Sequence, residues 1–353
     1  MTKLAIALLL AAPLVAQSPG TWKFAVSGDS RNCGDIVMPA IADGVLHSSA
    51  NFYWHLGDFR AIYTFDEDLV PPASLNLPTK PLNIITYETT AWPDFIAHQL
   101  VPFGNLPIYL TPGNHETIPP ATREQYLLQF ADWLDTPVLR QQRLADDPTD
   151  HLLRTYYHWV RNNIDFIALD NASHDQFDDG QVKWFTSVIQ RDEASPTIRA
   201  IVVAMHAALP GSFGGDHSMN DWSDGQVSGK EVYETLLHAR DTAHKKVYLL
   251  ASHSHFYMAD VYRTDTWKDK VIPGWIVGTA GAVRYRLPKD APPATSMTDV
   301  YGYLLATASA DGAIDFAFQK LGIDDLLRVN QGRVPDTLVH WCVDQNKQLT
   351  PIN

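Results

Sequence analysis

The strongest constraint in this chain is a layout that repeats: a short apolar run, then a turn that delivers a polar, chemistry-bearing side chain. Its fullest instance is Pro107-Ile108-Tyr109-Leu110-Thr111-Pro112-Gly113-Asn114-His115-Glu116, where a proline–glycine turn presents an amide, an imidazole and a carboxylate in succession. Apolar strands that place polar groups just past their carboxyl ends are how open α/β sheets build ligand sites. Trp22 to Ser27 likewise leads into Gly28-Asp29-Ser30-Arg31, and Asn51 to Leu56 into Gly57-Asp58. Ala200 to Met205, apolar throughout as a buried strand requires, delivers His206, and Val247 to Ala251 delivers His253-Ser254-His255. Singly, each has an ordinary explanation. Asp after glycine forms turns, Asn caps helices, and a histidine after a strand is commonly a hydrogen-bonded loop residue. Jointly, carboxylate, amide and imidazole without a thiolate make the ligand set of divalent metals of intermediate hardness.

Between these strands the sequence predicts helices. One covers residues 35–46, with Ile36, Val37, Ala40, Ile41 and Val45 near one face, and a short one runs from Pro93 to about Leu100. A third follows the capping-box pair Thr122 and Gln125, with Tyr126, Leu127, Phe130, Trp133 and Leu134 on its apolar face. Two more are expected at Gln181 to Ile189 and around Val232 to Arg240. Tyr156 to Val160 and Ile164 to Leu169, joined by Arg161-Asn162-Asn163, predict a β-hairpin with an asparagine turn. Residues 66–91, 140–152 and 211–228 are expected to be loops, and strand-like runs at 275–280, 301–308 and 313–319 close the chain.

With 353 residues, 45% hydrophobic and 19% charged, the chain has enough apolar material for one large core. Its formal net charge of −13 argues against general binding of nucleic-acid polymers. Small anionic substrates remain compatible, because a local metal site overrides the global field. Residues 1–16 have the form of a signal peptide, with Lys3 ahead of an apolar run, Leu4 to Ala12, too short to span a bilayer. Cleavage is expected near 16–18, giving a secreted or periplasmic protein without a membrane span. Cys33 and Cys342 permit a single disulfide in such a compartment without requiring one.

Taken in order, Gly28-Asp29, Gly57-Asp58, Gly113-Asn114-His115-Glu116, Met205-His206 and Ser252-His253-Ser254-His255 resemble the motifs of the calcineurin-like metallophosphoesterase superfamily, with some resemblance to its purple acid phosphatases. Gln181 with Trp184-Phe185 adds to the likeness, which covers roughly residues 22–285. The resemblance implies an α/β fold: a two-sheet β-sandwich flanked by helices in four α/β/β/α layers. It places a metallophosphoesterase domain over residues 20–325 and a C-terminal extension over 326–353. It further implies two metal ions, divalent or mixed-valence, drawn from iron, zinc, manganese or magnesium. Asp58 would bridge them; Asn114, His206 and His253 would complete one position, while Asp29 and His255 would serve the other. His115 would face the substrate as general acid or stabilise the leaving oxygen. Such a centre, with ions about 3.5–4 Å apart, generates hydroxide near neutral pH and clamps both ends of an in-line phosphoryl displacement.

Two residues depart from the family pattern. Where the family usually carries a histidine ligand two residues after the first aspartate, this chain has Arg31, which stays protonated and cannot ligate a cation. Arg31 is expected either to grip a substrate phosphate or to pair structurally with a nearby carboxylate. Ser252 replaces the usual glycine before the His-x-His pair. Tyr63, five residues after Asp58, is either a further ligand or an ordinary loop aromatic. His55, His174 and His217 lie near motifs without an assigned role; His217, in the glycine-rich loop after His206, is in reach of substrate but is expected to be an exposed loop residue. The function expected from all this is an exported metal-dependent phosphoesterase that attacks small phosphorylated substrates with a metal-activated hydroxide, phosphomonoesters preferred. The alternatives are a phosphodiesterase or nucleotide pyrophosphatase and, from another class, a non-catalytic binding protein with a degenerate metal site.

Overall fold

Large aromatic side chains at alternating strand positions give this chain two sheet faces that are best covered by each other. The computed structural model describes residues 20–78, 82–173 and 175–352. The signal peptide expected over residues 1–16 lies outside these, as does His174. In chain order the elements are β1 (Trp22–Ser27), α1 (Gly34–His47), β2 (Tyr53–His55), α2 (Ile84–Phe95), β3 (Ile108–Leu110), α3 (Arg123–Gln129), α4 (Ala131–Leu134) and α5 (Pro137–Asp146). There follow β4 (Tyr157–Arg161), β5 (Ile164–Ala168), α6 (Asp179–Ala194), β6 (Ala200–Ala204), α7 (Ser223–Asp241), β7 (Lys246–Ala251), β8 (Tyr257–Ala259) and β9 (Gly274–Val277). The chain ends with β10 (Arg284–Arg286), β11 (Ser296–Met297), β12 (Tyr301–Ala308), β13 (Ile314–Leu321), α8 (Ile323–Asn330), α9 (Asp336–Asp344) and β14 (Lys347–Pro351).

One sheet has the order β13-β12-β1-β2-β3 and the other β11-β8-β9-β7-β6-β5-β4. Within them β1, β2 and β3 run parallel, as do β5, β6, β7 and β9, so the motif-bearing strand ends of each sheet fall on one edge. Phe24, Phe52, Trp54 and Tyr109 from the first sheet interleave with Trp159 and Phe166 from the second. Trp159 stacks on Tyr109 at 3.8 Å, and Phe166 meets Phe24 edge-on at 5.2 Å. Such pairs add stabilisation beyond their buried area. Helices α1, α8 and α9 cover the outer face of the first sheet and α6 and α7 that of the second. The four-layer α/β/β/α sandwich is the expected architecture. The β4–β5 hairpin turns at Asn162 and Asn163, with φ of 48° and 63°, as its asparagines predict.

Three expected loops contain helix. Helix α2 lies partly within 66–91: Asn83 caps it by accepting from the Thr86 amide, and Tyr87, Ala91 and Phe95 form its buried stripe. Its threonines lower helix propensity and mask that stripe in the sequence. Helix α5 enters 140–152 behind the Thr136 cap and Pro137, with Leu139 as its buried residue. Helix α7 starts at Ser223, inside 211–228, and its first buried positions are Gly225 and Gly229. A Cβ on Gly229 would lie 2.4 Å from Pro210, so close helix packing, not loop flexibility, accounts for that glycine.

Residues 326–352 pack onto the rest of the chain. Leu326, Leu338 and Val339 join the apolar layer over α1, β14 pairs with β10, and Cys342 forms a disulfide with Cys33. The bridge links positions 309 residues apart, so it removes a large part of the unfolded chain's freedom. Cys342→Ser is therefore expected to cost about 2–5 kcal/mol, seen as a lower thermal midpoint that wild type also shows under reductant. Equal midpoints for wild type and variant, oxidised or reduced, would show that the bridge constrains nothing. No helix among the described residues is long and apolar enough to cross a membrane.

Candidate metal centre

The turns after β1, β2, β3, β6 and β7 meet where the two sheets converge, and three of the expected ligands sit there in left-handed backbone. Asp29, Asp58 and His253 have φ of 60°, 58° and 63°. Non-glycine residues hold that conformation at a cost of about 1–3 kcal/mol and concentrate at functional sites. Gly113 is fixed by close approach: a Cβ there would lie 2.3 Å from Asp58 Oδ1 and 2.9 Å from the His206 ring.

The proton positions follow from the outer contacts. His206 Nδ1–H donates to the Leu56 carbonyl at 2.8 Å, which leaves Nε2 with its lone pair facing inward. Nε2 then lies 3.1 Å from Asn114 Oδ1, 3.0 Å from His253 Nδ1 and 3.3 Å from Asp58 Oδ1. On the far side of its ring, His253 Nε2 lies 4.0 Å from the Asp175 carboxylate, which favours the proton there and frees Nδ1. Two donors each about 2.1 Å from one ion stand about 3.0–3.4 Å apart, and these separations fall in that range. One atom each of Asp29, Asp58, His206 and His253 lies within 4.8 Å of all the others. Asp58 Oδ2 and Asp29 Oδ1 are buried without a hydrogen-bond partner. Converging lone pairs and orphaned carboxylate oxygens are what a cation would satisfy, so these residues fit one. Burial opposes a charge on His206, yet Asp58 and Asp29 outweigh it and raise its pKa, whereas burial and the neighbouring His206 hold His253 well below the usual histidine value.

The other expected residues occupy the rim. His255 donates Nδ1–H to the Val283 carbonyl at 2.7 Å, and its Nε2 lies 3.2 Å from Asp29 Oδ1 and 3.4 Å from Arg31 Nη2. Arg31 Nε is 3.8 Å from Asp58 Oδ2. His115 donates Nδ1–H to the Ala61 carbonyl at 2.7 Å, leaving Nε2 at 3.6 Å from Asp58 Oδ2 and 3.5 Å from the Tyr63 hydroxyl. Burial pushes the His115 pKa down to about 4, against the pull of Asp58, so its resting ring is neutral. Tyr63 is half exposed and stacks on His115, so its ring faces that imidazole at the rim. His217 is not the exposed loop residue expected. Its ring packs against His253 and Tyr285, because the loop after β6 folds back and Ser254 donates to its carbonyl. His55 is fully buried between the Ser30 hydroxyl and the Gly57 amide, and burial holds its pKa down to about 3.

Several residues that hold the site carried no expected role. Glu116 accepts from the amides of Asp58, Phe59 and Gly113 at 2.8, 2.9 and 2.8 Å, pinning two motif turns together. Its place in the Gly-Asn-His-Glu run was the available signal. Asn171 clasps the residue after His206, accepting from the Ala207 amide and donating to its carbonyl. The signal was a further strand end, since β5 leads into Leu169-Asp170-Asn171. Gln181 clasps the backbone of Asp170 in the same way. Ser252 donates to the carbonyl of Leu56 that also holds His206, which gives the departure from glycine a use. Arg60 is fully buried among Asp35, Asp66, Asp68 and Asp94, anchoring the loop that presents Ala61 and Tyr63.

Glu116→Ala leaves three buried amides without an acceptor, each costing about 1–3 kcal/mol. The expected result is a markedly lower thermal midpoint and at least a roughly tenfold loss of metal affinity, the scale of losses for groups that orient ligands. An unchanged midpoint would mean the turns hold each other without it.

No family model matches the chain, and no curated protein matches its sequence. Solved structures match its fold. A purple acid phosphatase from yellow lupin (Lupinus luteus) seeds superposes with a TM-score of 0.58 at 15% identity, covering 94% of this chain and 57% of that one. A structure described as PhoD gives 0.52 at 15% identity, with coverage of 86% and 72%. A dimetal phosphatase from Danio rerio gives 0.51 at 9% identity, with coverage of 85% and 96%. The chain thus spans little more than half of the lupin protein. Its two facing sheets with helices outside them match these neighbours, and this chain carries the calcineurin-like metallophosphoesterase fold.

Proposed function

We propose that the protein is an exported metal-dependent phosphoesterase that hydrolyses small phosphate esters, with monoesters preferred. The observation that carries this reading is the convergence of Asp58, Asn114, His206 and His253 donors at one point, beside a guanidinium and an inward-facing imidazole. A divalent ion bound there supplies Lewis acidity and an activated water. Arg31 offers planar N–H donors that match two phosphate oxygens and brings charge suited to a dianionic monoester. His115, fixed through Nδ1 by Ala61, keeps Nε2 for the leaving oxygen. The phosphate charge raises the proton affinity of that nitrogen, which favours its acid form once substrate is in place. Tyr63 places a hydroxyl beside it at the rim.

Metal dependence is supported by the donor set and by the description of the Danio rerio neighbour as a dimetal phosphatase. Export is supported by the buried disulfide, a bond that persists in oxidising compartments. The acidic net charge of −13 leaves long nucleic acids poor partners. The test is turnover of an aryl phosphate, a bis-aryl phosphate diester and a nucleoside diphosphate sugar, with and without added metal. The expected outcome is highest kcat/KM for the monoester, lost on chelation and restored by metal. Faster cleavage of the diester or the pyrophosphate would move the assignment to phosphodiesterase or nucleotide pyrophosphatase. A metal-loaded protein inert to all three would be a binding protein.

A further inference from the structure

We propose that the Arg31 guanidinium takes the place of one of the two cations the fold suggests, so that the centre holds a single metal ion and uses Arg31 as its second positive group. The metal count stands on geometry alone; only the use of the guanidinium to grip phosphate rests on the phosphoesterase reading.

Three residues, Asp29, Asp58 and His255, are available to a second ion, and Arg31 lies among them. The one His255 nitrogen with a free lone pair is Nε2, since Nδ1–H is given to Val283. Arg31 Nη2 donates to Nε2 at 3.4 Å, which occupies that lone pair. Arg31 Nε stands 3.8 Å from Asp58 Oδ2, and both atoms are buried without a hydrogen-bond partner. A divalent ion drawing on these atoms would sit beside a charge that cannot be titrated away. The guanidinium has little room to withdraw. Its side chain is 12% exposed, and Tyr285 stacks on His255 at 3.9 Å with its hydroxyl 3.5 Å from Arg31 Nη2. Asp29 is shared: one of its carboxylate atoms clusters with Asp58, His206 and His253, and its Oδ1 lies 3.2 Å from His255 Nε2, the nitrogen whose lone pair Arg31 occupies.

Charge supports the same count. One divalent ion and one guanidinium against the carboxylates of Asp29 and Asp58 leave a net charge of about +1, enough to attract a phosphate. The N–H groups of Arg31 that are not donated to His255 or Tyr285 remain available for phosphate oxygens, a role suited to a rigid planar donor.

The experiment is elemental analysis with calorimetric titration of Zn²⁺ or Mn²⁺ into the full metal-free protein. One tight ion per wild-type chain is expected, and His255→Ala should still bind one, because His255 serves Arg31 and not the ion. Arg31→His should admit a second ion. With metal supplied at one equivalent per chain, Arg31→Met should weaken inorganic phosphate by about 10- to 100-fold, the worth of a hydrogen bond to a charged group. Two tight ions in wild type, falling to one in His255→Ala, would overturn the proposal, and that count does not depend on how any Arg31 variant folds. One ion with phosphate affinity unmoved by Arg31→Met would overturn the guanidinium's role. One ion, Arg31-dependent phosphate binding and no ester turnover would leave this assignment standing and remove the phosphoesterase reading instead.

Discussion

Asp58→Asn is expected to leave the fold intact, strip the centre of its tight metal and lower turnover by at least about 10³-fold, the scale of losing several kcal/mol of charge stabilisation. Asp58 is the residue on which most of the site's contacts depend. Its Oδ1 accepts the His115 amide at 3.1 Å and faces His206 Nε2 at 3.3 Å, while Oδ2 is orphaned between Arg31 and His115. Asparagine keeps an acceptor for the His115 amide, so the turn holds. It removes the charge that offsets Arg31 and any bound ion. It also turns an N–H₂ group toward the guanidinium or toward the imidazole lone pair. Metal content by elemental analysis, circular dichroism and aryl phosphate turnover check the three parts separately. A variant that retains its metal at wild-type affinity would show that Asp58 is not a ligand.

That so much hangs on one residue after a short strand explains why the site was legible before the fold was. Parallel strands in one sheet present their carboxyl ends on a common edge, so the residues just past those ends are brought together by topology alone. Strand recognition alone groups Asp29, Asp58 and Asn114 on one sheet and His206 and His253 on the other; the facing of the two sheets joins the groups. What the motifs could not convey is how the rim residues divide their hydrogen bonds. His255 is two residues from His253, yet its lone pair meets Arg31, because its Nδ1–H is held by the Val283 carbonyl while His253 turns Nδ1 toward His206. His217 is missed for a related reason: a glycine-rich loop reads as exposed unless one knows what it folds against.

Two of the three misjudged segments share a physical cause. Threonine in α2 and glycine in α7 have poor helix propensity, and both helices exist because tertiary packing outweighs it. The Cys33–Cys342 pair was open in the sequence because a separation of 309 residues carries no geometric information. Once α8 and α9 are seen against α1, the partners are neighbours. Glu116 was in plain view within its motif. Its work lies in accepting three amides from two different turns, which becomes visible only with the turns assembled.

His115→Ala is expected to lower turnover of alkyl phosphates by about 10²–10⁴-fold while metal content stays at the wild-type level. The imidazole is buried and fixed by Ala61, and its one free nitrogen looks into the site from 3.6 Å beyond Asp58 Oδ2. It is not among the converging donors, so its loss leaves the ion in place. The size of the effect should track the leaving group. An alkoxide must take a proton as the P–O bond breaks, whereas a nitrophenolate departs without one, so the variant should approach wild type on nitrophenyl esters. The pH profile separates an acid from a prop. A nitrogen whose pKa lies at about 4 in the free protein is mostly neutral at pH 7, and its protonated fraction grows as pH falls. Wild-type kcat/KM for an alkyl phosphate should therefore rise from pH 8 toward pH 5 more steeply than that of His115→Ala. A structural role would lower both substrates equally and leave the two profiles parallel. Loss of metal in the variant, with activity per bound ion unchanged, would make His115 a ligand instead.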